Sequence, residues 1–305
     1  MVEVADAAGE GVLVEVTAVG ICGSDLHLIE GWNCTVTPGH EILGTVDGWP
    51  VAVCPVEYCG TCGCCTRGVS SLCERGSAQV IGIHRDGGMA DAVLVPESCL
   101  VELSGLIGLD PAVGFLVEPV AVGLHGWNVI ETMTGMVGGA RVAIVGAGTV
   151  GLIAGAVARH LGFDVDIVAR HPGQQAAART LGLGLDVRGN YDITVDAAGT
   201  ASAIRLAAEL ARPGASVLMS GTYWGGDVSW PGLAAQLKEL RLFPVVYYGH
   251  HRGGREIDAA ARLVADLEEL PGALVTHRFP LHEAAKAFAT AADRASGAIK
   301  VVLEP

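Results

Sequence analysis

Positive charge is scarce in this chain of 305 residues: 19 Lys and Arg stand against 33 Asp and Glu, for a net charge of −14. That average field repels a polyanion such as DNA and an anionic bilayer surface alike, so neither nucleic acid nor a membrane is an expected partner. A basic-then-apolar leader is missing too. The chain opens MVEVADAAGE, which points away from secretion and toward the cytoplasm. One uncharged stretch, 142–158 between Arg141 and Arg159, could mimic a membrane span. It falls short of the roughly 20 residues a span needs. It also carries Gly146, Gly148, Gly151 and Gly155. Internal repeats of solenoid period and low-complexity tails are absent.

The length exceeds one ordinary core and suits about two domains, and half of the residues are hydrophobic. The first hundred residues hold short apolar runs such as GVLVEVTAV (11–19) and MADAVLVP (89–96). They read as strands joined by turns, with no helix of useful length. From about Asp110 the texture changes. RVAIVG, TVGLIAGAVARHLG, DVDIVAR, QQAAARTLG, YDITVDAAG, SAIRLAAELAR and SVLMSG alternate strand with helix. That alternation implies a parallel sheet flanked by helices. The end of the chain reads as a strand ALVTHRF, a helix HEAAKAFATAA and a last strand IKVVLEP.

Thiols are crowded into one place. YCGTCGCCTRGVSSLC (58–73) sets Cys59, Cys62, Cys65 and Cys73 as C-x2-C-x2-C-x7-C. Four thiolates so spaced can close a tetrahedron around one Zn²⁺ at about 2.3 Å per bond, and four protein ligands leave no open position, so such a site is structural. Clustered cysteines in a reducing compartment bind metal more often than they pair. Gly60 and Gly63 relieve crowding between them. Free or oxidised thiols are the plainer alternative, and Cys64 reads as a bystander.

Gly146-Ala147-Gly148-Thr149-Val150-Gly151 follows the strand-like VAIV and opens a helix. In that context G-x-G-x-x-G binds a dinucleotide. The first glycine allows the turn, the second admits the pyrophosphate and the third lets helix and strand pack. An acid usually closes the second strand and takes the ribose hydroxyls. Here the strand ends Val168-Ala169-Arg170-His171. A cation at Arg170 attracts a 2′-phosphate, which favours NADP(H) over NAD(H). The alternative is a solvated arginine that touches nothing.

Three further stretches carry metal-capable residues: GICGSDLH (20–27), PGHEILG (38–44) and LVEPVAVGLH (116–125). Together they supply three protein ligands of mixed type, as a catalytic zinc with an open fourth position needs. With Gly39-His40-Glu41-Ile42-Leu43-Gly44 as GHExxG, the cysteine lobe, DGGMADAVLVP, the glycine loop and Asp196-Ala197-Ala198-Gly199, the chain resembles the zinc-dependent medium-chain dehydrogenase/reductase family. The resemblance covers nearly the whole chain. The segment between Gly44 and the cysteines, TVDGWPVAVCPVEY, is compressed relative to the family.

That resemblance implies an α/β fold: a doubly wound Rossmann sheet plus a mostly β GroES-like catalytic domain with a zinc lobe. The expected layout is 1–121 catalytic, 122–272 dinucleotide-binding and 273–305 a return to the catalytic domain. Cys22 and His40 would be catalytic zinc ligands. Glu118 would be the third, as in the polyol and sugar branch, unless it only caps the following helix. Glu41 would stand behind the ligands or exchange with one, and Ser24 would relay the substrate proton. Asp25 and His27 either support the zinc or turn the chain. Arg170, His171 and Ala198 join the glycine loop at the nucleotide. The implied enzyme holds two zinc ions per chain. It moves a hydride between NADP(H) and a secondary alcohol or ketone, a polyol, sugar or cyclitol by analogy. The implied assembly is a homodimer or homotetramer, with sheet-edge pairing through SVLMSG to FPVVYYG as a route. Alternatives are a non-catalytic nucleotide sensor and a zinc-free enone or quinone reductase. Trp32, Trp49 and Trp224 could line a cleft or fill a core. The loop Gly249-His250-His251-Arg252 could hold a second metal, with a solvated loop the favoured reading.

Overall fold

The computed structural model describes residues 11–31, 35–76 and 79–305; Trp32 lies outside them. The chain divides into two units. One takes in the chain through Ala121, Tyr248–Pro271 and Val275–Pro305, and the other Val122–Tyr247 with Gly272–Leu274.

In the first unit β1 (Val12–Ile21) alternates buried and exposed side chains as far as Thr17 and is wholly buried from Ala18 on. The change follows its neighbours, because the second half is flanked on both sides by other strands. A helix, α1 (Gly23–Gly31), follows. It corrects the expectation of no helix among the first hundred residues. Its nine residues begin and end in glycine, so periodicity had little to act on. Next come β2 (Glu41–Val46) and β3 (Trp49–Val53), joined through Asp47 and Gly48 at φ 50° and 81°. Two left-handed residues make the tight turn that suits strand twist, and Asp-Gly is its favoured pair. The compressed segment is therefore a hairpin. The unit continues with α2 (Gly63–Thr66), β4 (Ala92–Val95), β5 (Leu100–Glu102) and the start of α3 (Val117–Thr134).

The second unit alternates as its sequence implies: β6 (Arg141–Val145), α4 (Thr149–His160), β7 (Asp164–Val168), α5 (Pro172–Thr180), β8 (Tyr191–Asp196), α6 (Ala201–Leu210), β9 (Ala211–Met219), α7 (Gly232–Leu237) and β10 (Arg241–Pro244). The sheet is all parallel, in the order β10-β9-β8-β6-β7. The chain steps outward from β6 to β7, then crosses back to β8 on the other side. Ligands of open α/β sheets bind where the order reverses, at the strands' carboxyl ends. Beyond β7 a further strand is reduced to one bridge, Asp166 to Gly184. The uncharged stretch 142–158 is β6 plus the buried body of α4, in which Gly151 through Ala158 are all buried. Ala203 and Ala207 on α6 pack on Val145 and Val217 of the sheet, small side chains that let the helix lie close.

The chain then forms the short pair β11 (His250–His251) and β12 (Gly254–Arg255), α8 (Glu256–Asp266), α9 (Leu270–Leu274), β13 (Val275–Pro280), α10 (Ala284–Ala292) and β14 (Lys300–Glu304). The first unit's sheet runs β13-β14-β1-β2-β3-β5, with β4 also on β1. Tyr248–Pro271 groups with this unit, whereas the sequence reading placed the stretch up to 272 with the nucleotide domain. Specific bonds explain the difference. Tyr58 Oη donates to the Tyr248 carbonyl at 2.6 Å, and the Arg255 guanidinium donates to the carbonyls of Ser98 and Leu100 at 2.6 and 2.9 Å. Of the adjacent histidines, His250 is tied to the cysteine lobe as well, its Nδ1 lying 2.9 Å from Ser70 Oγ.

Gly151 closes the turn onto α4 so tightly that a Cβ there would lie 1.8 Å from the Gly146 carbonyl oxygen. Gly151→Ala should therefore cost about 1–3 kcal/mol as an overpacked contact. Urea unfolding read at two wavelengths checks this, and an unchanged midpoint would show that the turn relaxes freely.

Candidate metal centre and nucleotide site

Two strand ends bring the metal-capable residues together. Cys22 follows the last residue of β1, and His40 precedes the first residue of β2. The strands are in register at Gly20 and Glu41. A Cβ on Gly20 would lie 1.9 Å from Glu41 Oε2, so only glycine admits the carboxylate there. On the other side of β1, Ile21 pairs with Val301 of β14. Lys300 thereby reaches under the strand end. Its Nζ donates to both Glu41 oxygens at 2.6 Å and to the Ile21 carbonyl at 3.0 Å. Both side chains are 1% exposed. Burial alone would lower the Lys300 pKa, but the Glu41 carboxylate against it, with the Cys22 and Asp25 charges beyond, holds it above the ordinary value.

One ligand atom from each of Cys22, His40 and Glu41 lies within 4.8 Å of the others. Asp25 organises them. It is wholly buried, its Oδ2 accepts from the Cys22 amide at 2.9 Å, and its Oδ1 lies 3.4 Å from His40 Nδ1. Turning Nδ1 to a carboxylate leaves the other ring nitrogen for a ligand, as metal-binding histidines are commonly arranged. Ser24 Oγ sits 3.4 Å from that nitrogen, Nε2. Burial pushes the His40 pKa down, but the Asp25 carboxylate and Cys22 outweigh it and the pKa rises well above the usual value. Glu118, in the first turn of α3, is 7% exposed. Burial pushes its carboxyl up to about 7, against the lowering charge of His40; Glu41 raises it further and Lys300 lowers it. The three atoms within 4.8 Å do not include one from Glu118; Glu41, expected behind the ligands or exchanging with one, is the carboxylate that stands with Cys22 and His40. A thiol, an imidazole and buried carboxylates are donors that suit zinc. Asp25 Oδ1 and His40 Nδ1 are buried 3.4 Å apart, without a hydrogen bond of ordinary geometry.

The cysteine lobe converges in the same way. Ligand atoms of Cys59, Cys62, Cys65 and Cys73 lie within 4.8 Å of one another. Backbone amides point at the sulfurs: Cys59 N to Cys73 Sγ and Cys62 N to Cys59 Sγ at 3.3 Å, Gly76 N to Cys73 Sγ at 3.4 Å. Such donation favours thiolates. Hydrogen bonds from the Thr61 and Cys62 amides bring the Cys59 thiol down to about 6, while burial pushes Cys65 up to about 12. Gly60 takes a φ of 68°, which favours glycine, whereas Gly63 simply starts α2. Cys64 stands apart, with Arg67 Nη2 on its sulfur at 3.6 Å.

In the other unit the glycine turn shows the turn and packing geometry expected of its first and third glycines. Gly146 has a φ of 109°, and a Cβ there would touch Ala198 Cβ at 3.0 Å; Gly151 packs on the Gly146 carbonyl. Gly148 caps α4, and a Cβ there would meet nothing within 4 Å, which leaves space over the helix start. Thr149 and Val150 begin that helix. Asp196 closes β8: Oδ1 accepts from the amides of Ala198 and Gly199, and Oδ2 from Tyr223 Oη at 2.7 Å. It fixes the loop beside the turn. Arg170 and His171 are exposed, and both their amides donate to Gln174 Oε1, in the cap of α5. Trp49 and Trp224 are exposed rather than core, at 66% and 37%.

Lys300 and Gly20 escaped the sequence reading. A lysine opening KVVLE reads as a solvated strand end; the one local signal was a glycine inside a strand, which marks close approach. Asp25, left open, lies against both Cys22 and His40.

A glycine-turn nucleotide fold with a thiol, imidazole and carboxylate cluster defines a metal-assisted dehydrogenase. Comparison agrees. Residues 8–105 match the family described as "Alcohol dehydrogenase GroES-like domain". A zinc-binding dehydrogenase, so described, from Sinorhizobium meliloti 1021 and solved with NADP is 30% identical, with 98% of this chain and 94% of that one covered and a TM-score of 0.82. Galactitol-1-phosphate dehydrogenase from Escherichia coli is 26% identical over 100% of this chain and 96% of that one, with a TM-score of 0.85. L-galactonate-5-dehydrogenase from Escherichia coli K12 is 27% identical over 90% of this chain and 86% of its own length. The chain belongs to the zinc-type medium-chain dehydrogenase family and is an oxidoreductase.

Lys300→Met would strand the Glu41 carboxylate in a buried site, at a cost of about 3–5 kcal/mol. Adding Glu41→Gln should restore part of it, as urea midpoints of the single and double variants will show. Equal losses from each change, summing in the double, would mean the pair is not coupled.

Proposed function

We propose that this chain interconverts a secondary alcohol and its ketone, on a polyol, sugar or cyclitol, with NADP(H) as the hydride carrier. The observation that carries the reading is the convergence of Cys22 and His40 with buried carboxylates, Asp25 aligning the imidazole. The substrate class is supported by relatives named for galactitol 1-phosphate and L-galactonate. NADP(H) is supported by exposed Arg170 at the end of the second strand and by the relative solved with NADP.

Cys22, His40 and a carboxylate, Glu118 with Glu41 as its exchange partner, would hold zinc, and Cys59, Cys62, Cys65 and Cys73 a second. A zinc ion in the first site supplies Lewis acidity that lowers the pKa of a substrate hydroxyl. The chain's own residues do the rest. Asp25 keeps the His40 ring from turning. Ser24 lies beside that ring and carries the hydroxyl proton outward. Lys300 neutralises Glu41 so that the pocket is not overloaded with negative charge. Gly148 and the α4 N-terminus take the cofactor's pyrophosphate, and Arg170 its 2′-phosphate. The working form is a cytoplasmic homodimer or homotetramer, as the resemblance implies.

Metal analysis of active protein should find two zinc ions per chain, and absorbance at 340 nm should report oxidation of polyols with NADP⁺. Cys22→Ala should abolish turnover and keep nucleotide affinity; one zinc or none in active protein overturns the two-site reading. Arg170→Ala should raise the KM for NADP⁺ about tenfold, the loss of one charge-assisted bond, and spare NAD⁺. Equal effects on both cofactors would assign Arg170 to solvent.

A further inference from the structure

A buried hydroxyl beside the metal centre has no bond to make. Tyr248 is 0% exposed, and its Oη has no hydrogen-bond partner. Leaving such a group unpaired in a dry interior is unfavourable, so a native fold keeps it for a reason. The ring cannot move away to find water. Tyr58 Oη holds the Tyr248 carbonyl at 2.6 Å, and the Gly249 amide donates to the buried Glu256 carboxylate at 2.6 Å. Gly249 is pressed on the cysteine lobe, where a Cβ would lie 2.5 Å from Ser70 Oγ and 2.6 Å from the Ser71 nitrogen.

The groups whose charges reach this phenol include Cys54, Glu118 and Tyr58. Two of them already spend their protons elsewhere. The Cys54 thiol donates to the Val56 carbonyl at 3.3 Å, and Tyr58 donates to the Tyr248 carbonyl. A phenol needs an acceptor for its proton, and a carboxylate is the strongest acceptor available. Glu118 is that carboxylate, and it must shift if it is to join Cys22 and His40.

We infer that Tyr248 is a positioning residue: its hydroxyl donates to Glu118 and fixes which carboxylate oxygen turns toward Cys22 and His40. The inference rests on the zinc reading above and deepens it. Because Tyr58 and Ser70 belong to the cysteine lobe, that lobe sets the height at which Tyr248 stands. A structural metal site thereby acts on the geometry of the catalytic one.

The test uses the full chain with cobalt(II) in the catalytic site and zinc in the lobe. Tyr248→Phe should shift the cobalt d–d bands and lower kcat about tenfold, the scale seen for groups that orient metal ligands. The KM for the nucleotide and the lobe's zinc content should not change. In a Glu118→Gln background the same change should do much less. Should the phenylalanine variant not fold, a ring-fluorinated tyrosine at 248 keeps the hydroxyl as a stronger donor and should move the same bands. Bands that stay put in the folded variant or in the fluorotyrosine protein overturn the positioning role, as does an undiminished effect of Tyr248→Phe on Glu118→Gln. A parent protein with no cobalt–thiolate charge-transfer band would instead overturn the metal centre and this inference with it.

Discussion

A buried ion pair ties together the part of this protein that carries the candidate metal ligands. Lys300 Nζ grips both oxygens of Glu41 and the carbonyl of Ile21 from 259 and 279 residues away in sequence. Those two partners stand next to His40 and Cys22. Fixing them fixes where an imidazole and a thiol leave the sheet. A buried pair of this kind is weak evidence for stability, since hydrophobic replacements often do as well. Its value here is geometric, because it locks the register of β14, β1 and β2 at the end that carries the chemistry.

Legibility in the sequence followed the distance over which each feature is encoded. The glycine loop lies within six consecutive residues, between a strand and a helix, and the turn and packing roles of its first and third glycines were legible there. The cysteine lobe is equally local. The β/α alternation after Asp110 was readable because each element buries a nearly continuous face. The ion pair was not readable, since no window contains both Glu41 and Lys300. Neither was Tyr248–Pro271's membership of the first unit, because its helix α8 looks like any other amphipathic helix. What decides it is Arg255 bonding to the carbonyls of Ser98 and Leu100.

The missing outer strand has a similar lesson. A single bridge at Gly184 stands where a sheet of this kind usually adds a strand beyond β7. A Cβ at Gly184 would lie 1.9 Å from Asp166 Oδ1, and that acid's other oxygen takes the Tyr191 hydroxyl at 2.7 Å. The edge of β7 is met instead by two backbone bonds: Gly184 N donates to the Val165 carbonyl at 2.9 Å, and its carbonyl accepts from Ile167 N at 2.8 Å. Polar closure of that sort blunts an edge that would otherwise invite pairing.

Charge balance explains why so many acids are tolerated in one dry place. Asp25, Glu41 and Glu118 are all buried, and Cys22 adds a thiol that can ionise. Lys300 cancels one of these charges and a protonated His40 another. A metal ligand must be neutral at its imidazole, so binding a cation removes the histidine's contribution just as the ion supplies its own. The acids left over then match a dication rather than a proton. Against burial, the same surplus holds the His40 pKa up, through Asp25 above all, whereas Glu118 is raised first by its burial and only then by Glu41. The raised His40 and the converging ligands thus share one cause, buried acids crowded at a strand end and held in place by the lysine beneath them.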